Sequence, residues 1–121
     1  MMFKAACHCS AVQLALPYKP KSLTSCNCSI CRRYGVLWVY YCQGEVEVFA
    51  ESDGLVGYRW GDETLEFFHC RQCGCVTHYE TVEKGDECRL AVNARMMEPG
   101  EIEDIPVRHF DGAVSWRYLD E

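Results

Sequence analysis

Apolar and polar residues alternate along much of the chain in short runs, a pattern typical of β-strands with one buried face. The runs are five to seven residues long, and turn-forming pairs such as Gln43-Gly44 and Asp53-Gly54 separate them. Short strands at this spacing predict an all-β domain of small antiparallel sheets. The predicted strands are Ala11–Leu16, Val36–Tyr41, Glu45–Phe49, Leu55–Trp60, Leu65–His69, Val76–Val82 and Arg89–Asn93.

Helical signals are few. A turn or two is predicted at Ser29–Tyr34, with Ser29 as the N-cap and Gly35 as the stop, and a second short turn at Arg95–Glu98 before Pro99. No repeat, low-complexity tract or linker divides the sequence. We therefore predict that residues 1–121 form a single domain around one core.

The cysteine content is high for a chain of this length. Ten of the 121 residues are cysteines, a proportion close to that of secreted disulfide-rich domains. The N-terminal sequence lacks the uninterrupted apolar stretch of an export signal, and the longest apolar run, Val36–Cys42, is far shorter than the ~20 residues that span a bilayer. We therefore expect a cytosolic protein without membrane contact, in which clustered cysteines bind metal or react rather than form disulfides.

The charge excludes one class of partner. The formal net charge is −6 at pH 7, and the sequence contains no basic stripe. A surface that binds a nucleic-acid backbone needs clustered lysine and arginine. We therefore expect no nucleic-acid partner.

The first candidate site combines a Cys-x-Cys motif with a Cys-x-x-Cys motif. In a strand, residues i and i+2 share a face, so Cys7 and Cys9 are expected to present their sulfurs side by side. The sulfurs of Cys70 and Cys73 are expected to converge from a tight turn in which Gly74 adopts a positive φ. Two such pairs predict a tetrahedral four-cysteine structural zinc site; the plainer alternative is a set of reduced core thiols.

The second candidate site is the group Cys26, Cys28 and Cys31, which lies within six residues. Three thiolates leave the fourth position of a tetrahedral zinc free, and an open position is typical of catalytic zinc. A fourth protein ligand would instead make the site structural. The candidates for that ligand are Cys75, Cys42, Cys88 and His69. Otherwise Cys42 and Cys88 are expected to be buried, inert thiols, and Cys75 either a core residue or a thiol near a zinc.

These motifs resemble those of the glutathione-dependent formaldehyde-activating enzyme family, also called the centromere protein V family. The resemblance runs from about Phe3 to Trp116, with the three cysteine motifs in the same order. It is carried by Cys7-His8-Cys9-Ser10-Ala11-Val12, Cys26-Asn27-Cys28-Ser29-Ile30-Cys31-Arg32 with Gly35, Phe68-His69-Cys70-Arg71-Gln72-Cys73-Gly74, Val92-Asn93-Ala94-Arg95 and Phe110-Asp111-Gly112.

The resemblance implies a β-fold similar to that of the Rab exchange-factor chaperones and the R-type methionine sulfoxide reductases. It also implies two zinc ions per chain, one structural and one catalytic. The structural ion would be held by the Cys7, Cys9, Cys70 and Cys73 set, and the catalytic ion by the Cys26, Cys28 and Cys31 set. The activity implied is a carbon–sulfur lyase reaction run in reverse, in which formaldehyde joins glutathione to give S-hydroxymethylglutathione.

A small anionic thiol such as glutathione is thus the expected partner, and its carboxylates would need cationic contacts. Arg32 and Arg33 directly follow Cys31 and are the predicted substrate-binding residues. Asn93 and Arg95 match the family pattern, but the sequence assigns them no role. Two alternatives to the enzyme remain: a zinc-stabilised binding or scaffold module without catalysis, and a thiol redox or zinc-buffering protein.

Overall fold

The computed structural model describes residues 3–120, and across this range strands dominate. Eleven strands, two single-turn helices and one 3₁₀ turn occur there. In chain order they are β1 (Phe3–Ala6), β2 (Gln13–Leu16), β3 (Leu23–Cys26), α1 (Cys31–Tyr34), β4 (Trp38–Cys42), β5 (Glu47–Phe49), β6 (Leu55–Tyr58), β7 (Leu65–Cys70), β8 (Val76–Thr81), β9 (Arg89–Asn93), the 3₁₀ turn (Ala94–Met96), α2 (Pro99–Ile102), β10 (Val107–Asp111) and β11 (Arg117–Tyr118).

The strands form two sheets. A three-stranded sheet has the order β1-β2-β5, and an eight-stranded sheet has the order β11-β10-β3-β4-β9-β8-β7-β6. All pairs are antiparallel except β3 with β10, which run parallel with Phe110 opposite Cys26. The predicted all-β class is confirmed. The long connection between β3 and β10 is the kind of crossover that a parallel pair requires.

Side chains of both sheets share the main core. Leu14 and Leu16 of β2 are fully buried and pack with Val39 of β4 and Val92 of β9. A second apolar cluster covers the opposite face of the large sheet, because successive side chains of a strand point to opposite faces. It contains Trp38, Phe67, Tyr79 and Ala91 together with Cys31.

All seven predicted strands occur, and most of them are shorter than the pattern indicated. The four strands that the pattern did not predict are β1, β3, β10 and β11. The predicted N-cap of α1 is wrong: the helix begins after Ile30, and no side chain caps it. Gly35 ends the helix with φ 68°, as predicted. The turn expected at Arg95–Glu98 begins one residue earlier and ends two residues earlier, at Ala94–Met96, and α2 was not predicted.

Across residues 3–120, no helix has the length and apolarity needed to cross a bilayer.

His78 gives stability a pH dependence. This residue of β8 is 2% exposed, stacks on Phe68 at a centroid distance of 4.9 Å and holds Nδ1 2.7 Å from the hydroxyl of Thr77. Burial, with a smaller contribution from Lys84, lowers its pKa from 6.5 to about 4. The folded protein therefore keeps the ring neutral where the unfolded chain takes up a proton.

We expect the free energy of unfolding to fall by up to about 3 kcal/mol as pH drops from about 6.5 to about 4, on account of this one group. His78→Gln removes the titrating ring and should flatten the profile in that window. Urea unfolding of both proteins at several pH values measures the difference. Parallel profiles would show that His78 does not titrate differently in the two states.

Candidate metal centres

The first cysteine cluster has the geometry of a tetrahedral thiolate site. The Sγ atoms of Cys7, Cys9, Cys70 and Cys73 all lie within 4.8 Å of one another. The Sγ atom of Cys9 is 3.7 Å from that of Cys7 and 3.6 Å from that of Cys70. Zinc–sulfur bonds of about 2.3 Å in a tetrahedron place the sulfurs about 3.8 Å apart. The four residues can therefore hold a metal ion such as zinc with little movement.

Cys7 and Cys9 reach this position from a turn, so the strand alternation expected for them is wrong. β1 ends at Ala6, and the chain then reverses, with the N–H of Cys7 donating to the carbonyl of Val12 at 3.0 Å. The N–H of Val12 donates in return to the Sγ of Cys7 at 3.3 Å. Ser10 adopts φ 66° to close the turn.

Cys70 and Cys73 form the predicted knuckle. Cys70 is the last residue of β7, and the N–H of Gly74 donates to its carbonyl at 2.9 Å. Gly74 has φ 81°, the left-handed conformation expected for this position. The N–H of Cys73 donates to the Sγ of Cys70 at 3.5 Å. Each half of the cluster is thus fixed by its own backbone turn.

The surroundings favour a thiolate at one sulfur of this cluster and disfavour it at another. Burial raises the pKa of Cys73, but N–H groups of Cys75 and Cys9 and the thiol of Cys70 outweigh that effect and hold the pKa at about 5. The N–H of Ala11 lowers the pKa of Cys9, but burial and hydrogen bonds with Cys70 and Cys7 outweigh it and raise that pKa to about 12. The cluster thus has one ionised sulfur at neutral pH, and a metal that binds there displaces the remaining protons. Cys75 lies beside the cluster, where the N–H of His8 approaches its sulfur, but it is not one of the four converging residues.

The second cluster brings together the three remaining motif cysteines. Cys26 ends β3, Cys28 lies in the following bend and Cys31 begins α1, and their Sγ atoms lie within 4.8 Å of one another. The N–H of Cys31 donates to the Sγ of Cys28 at 3.4 Å. The indole N–H of Trp38 donates to the Sγ of Cys31 at 3.2 Å. These donors stabilise negative charge on the sulfurs.

Proton sharing within the triad keeps one sulfur ionised. A hydrogen bond from Cys31 lowers the pKa of Cys26 to about 5, with further contributions from N–H groups of Cys28 and Gly112. The same interaction with Cys26, together with burial, raises the pKa of Cys31 above its usual value. The triad therefore offers at least one thiolate at neutral pH.

No fourth protein ligand joins the triad among residues 3–120, where no further Cys, His, Asp or Glu places a ligand atom with the three sulfurs. Two of the candidates from the sequence, His69 and Cys75, are next to the first cluster in the chain. The other two, Cys42 and Cys88, lie at the end of β4 and before β9. Both are half-buried, so the expectation that they are fully buried is wrong.

A loop near the C-terminus packs against the triad, a contact that the sequence did not predict. Asn27, between two of the cysteines, donates to Asp111 at 3.0 Å and accepts from the N–H of Ala113 at 3.0 Å. Gly112 lies so close that a β-carbon there would be 2.7 Å from the Sγ of Cys26. The Phe110-Asp111-Gly112 motif was the available sequence signal, but the pattern gave no reason to place it beside Cys26.

Gly112→Ala should damage the second centre without unfolding the protein. The added β-carbon would also lie 3.2 Å from the Cβ of Cys28, so either the loop or the cysteines must move. We expect the affinity of the triad for zinc to fall by about 10- to 100-fold, which is typical when residues that hold metal ligands in position are changed. A competitive chelator titration measures this affinity. Gly100→Ala is the control, because a β-carbon there meets nothing within 4 Å; equal affinities in the two variants would contradict the prediction.

The structure separates the two predicted substrate-binding arginines. Both lie on α1 with exposed side chains, and Arg33 donates from Nη1 to the carbonyl of Ser29 at 2.7 Å. Arg33 also lines a cleft of about 450 Å³ together with Asn93 and Arg95. Arg32 does not line this cleft.

Comparison with known proteins supports the fold. No protein-family model and no curated protein matches the chain. A crystal structure of a Rhodobacter sphaeroides protein, solved as a Northeast Structural Genomics target, is similar with a TM-score of 0.69 and 27% sequence identity. The match covers 86% of this chain and 98% of that one. The arrangement of sheets is therefore one that an experimentally solved protein also adopts.

Proposed function

We propose that this protein is a zinc-dependent enzyme of the carbon–sulfur lyase type that acts on glutathione or a related thiol and a small aldehyde. The observation that carries the proposal is a triad of converging cysteines, Cys26, Cys28 and Cys31, without a fourth protein ligand among residues 3–120. The motif resemblance to the glutathione-dependent formaldehyde-activating enzymes supplies the class of reaction. The cluster of four cysteines would hold a second, structural zinc.

When bound, zinc supplies Lewis acidity that lowers the pKa of a thiol and polarises a carbonyl oxygen. The chain's own residues prepare the place for this chemistry. Trp38 and the N–H of Gly112 donate to the sulfurs of Cys31 and Cys26, which fixes them and limits their basicity. Asn27 and Asp111 hold the neighbouring loop, so that the triad is organised before substrate arrives.

The proposed reaction is balanced without an oxidant or reductant. In the forward direction a carbon–sulfur bond forms between the thiol sulfur and the aldehyde carbon. The carbonyl π bond breaks, and its electron pair takes up the proton that the thiol loses, which gives a hydroxyl group. Cleavage of the adduct is the exact reverse.

The converging cysteines also support the alternative of a zinc-stabilised module without catalysis, because a metal at both clusters would stabilise the fold whatever else it does. In that case the open side of the triad would take up water and no thiol. The two functions therefore differ in what enters the fourth position.

Nuclear magnetic resonance of glutathione and formaldehyde, with and without the zinc-loaded protein, tests the proposal. We expect S-hydroxymethylglutathione to form and break down faster than in buffer, and the acceleration to vanish in Cys28→Ser. Cys42→Ser, which alters a thiol outside both clusters, should retain it. If no thiol and aldehyde in a panel exchange faster with protein, the enzyme proposal fails and the zinc-stabilised module remains.

A further inference from the structure

The cleft of about 450 Å³ that Arg33 lines is positively charged, although the chain as a whole is negatively charged. Two arginines, Arg33 and Arg95, and one histidine, His69, line it, and none of its lining residues is acidic. The chain as a whole carries a net charge of −6. We call this feature the arginine cleft. Its volume is in the range of cavities that bind small organic molecules.

The guanidinium group of Arg95 is held in place by the backbone around it. Its Nε donates to the carbonyl of Gly35 at 2.6 Å, and its backbone N–H donates to the side chain of Asn93 at 3.2 Å. Asn93 is 4% exposed and is itself fixed, because its Nδ2 donates to the carbonyl of Val76 at 2.8 Å. Arg95 therefore occupies a prepared position and is not a freely moving surface chain.

The two arginines have unused donors. Arg33 uses Nη1 for the carbonyl of Ser29, and Arg95 uses Nε for Gly35. Neither forms an ion pair with a carboxylate of residues 3–120. Guanidinium groups match carboxylates with two parallel hydrogen bonds, which are stronger than bonds between neutral groups. The arginine cleft thus presents two guanidinium groups that are held by backbone contacts and have donors free to bind an anion.

The cleft also lies close to the triad along the chain. Cys31 begins α1, Tyr34 of the same turn lines the cleft, and Gly35 accepts the hydrogen bond from Arg95. Tyr34 follows Cys31 by three residues, a rise of about 4.5 Å along the helix axis. Tyr34 therefore belongs both to the helical turn that begins at a triad cysteine and to the wall of the cleft.

We propose that the arginine cleft binds the carboxylate of a small organic anion, and that this anion is the thiol substrate of the triad. The second half of the statement rests on the proposed function; the first does not. Arg95 thereby becomes a substrate-binding residue together with Arg33, while Arg32, which does not line the cleft, does not.

Calorimetric titration with S-methylglutathione tests the cleft without turnover, because this probe keeps both carboxylates and has no free thiol. We expect the zinc-loaded protein to bind it at least tenfold more tightly than its diethyl ester. Arg33→Gln and Arg95→Gln should each weaken binding of the acid at least tenfold. Lys21→Gln, which changes the net charge equally at an exposed residue outside the cleft, should leave the dissociation constant within twofold.

Thermal melting of each variant shows whether it is folded; Arg33→Gln loses only one backbone contact and remains informative if Arg95→Gln is unstable. Equal binding of acid and ester overturns the proposal, and so does an equal loss in Arg32→Gln, which would place the ligand on the outer side of α1. Arginine-dependent binding without turnover of any adduct would retain the cleft and remove the enzyme proposal. If both glutamine variants turn over the substrate at the wild-type rate, the enzyme proposal stands and the cleft proposal fails.

Discussion

Replacing Cys73 with serine is expected to unfold the protein. The cluster to which Cys73 belongs joins the turn after β1 to the knuckle after β7, and so ties the three-stranded sheet to the eight-stranded sheet. A structural zinc contributes on the order of 10 kcal/mol or more to folding. That is comparable with the whole stability of a domain of this size, about 5–15 kcal/mol. Loss of the ion therefore removes most or all of the stability.

The measurement is thermal melting by circular dichroism, together with zinc content by elemental analysis. Cys42→Ser is the matched control, because Cys42 is also half-buried but belongs to neither cluster. We expect the control to melt near the wild-type temperature. A Cys73→Ser protein that melts within a few degrees of the control would mean that no structural metal holds the two sheets together.

Replacing Cys28 with serine is expected to abolish the second centre and leave the fold. The triad lies within six residues, and β3, which carries Cys26, is held independently by backbone pairing with β4 and β10. Cys28 is a better target than Cys31, because Cys31 is 7% exposed and belongs to the apolar cluster around Trp38. Removing one of three thiolates takes away one negative charge and leaves a tetrahedral ion with only two cysteine ligands.

We expect Cys28→Ser to contain one zinc per chain instead of two, to melt cooperatively and to lose all acceleration of the thiol reaction. Elemental analysis and melting on the same sample check this. The comparison with Cys73→Ser is the informative one, since both positions are half-buried cysteines. If Cys28→Ser unfolds as completely as Cys73→Ser, the second centre is structural as well.

The fold class and the candidate ligands follow from local patterns of residues. Strands such as β7 and β9 carry strong apolar patterns, so their existence was predictable, and the spacing of Cys70 and Cys73 with Gly74 contains the whole knuckle. Ligand type and local spacing are properties of a few consecutive residues. For that reason the seven cysteines that the motifs indicated are also the seven that converge in space.

β1, β3 and β11 escaped prediction because their residues show no regular alternation of apolar and polar side chains. β1, β3 and the two-residue β11 are strands because neighbouring strands supply their hydrogen bonds. The turn at Cys7 and Cys9 is similar: alternation was a reasonable expectation, but the N–H groups around the sulfur impose a reversal. Tertiary context outweighs weak local preference in such segments.

The residues that surround the two clusters come from distant parts of the chain. Parallel pairing of β10 with β3 puts Phe110 opposite Cys26 and brings Gly112 against the triad, although more than eighty residues separate them in the chain. Arg33 and Arg95 line one cleft for the same reason, because a hydrogen bond from Arg95 to the carbonyl of Gly35 joins the turn after β9 to the end of α1. Such neighbours are set by sheet order and packing, and no local pattern of residues encodes them.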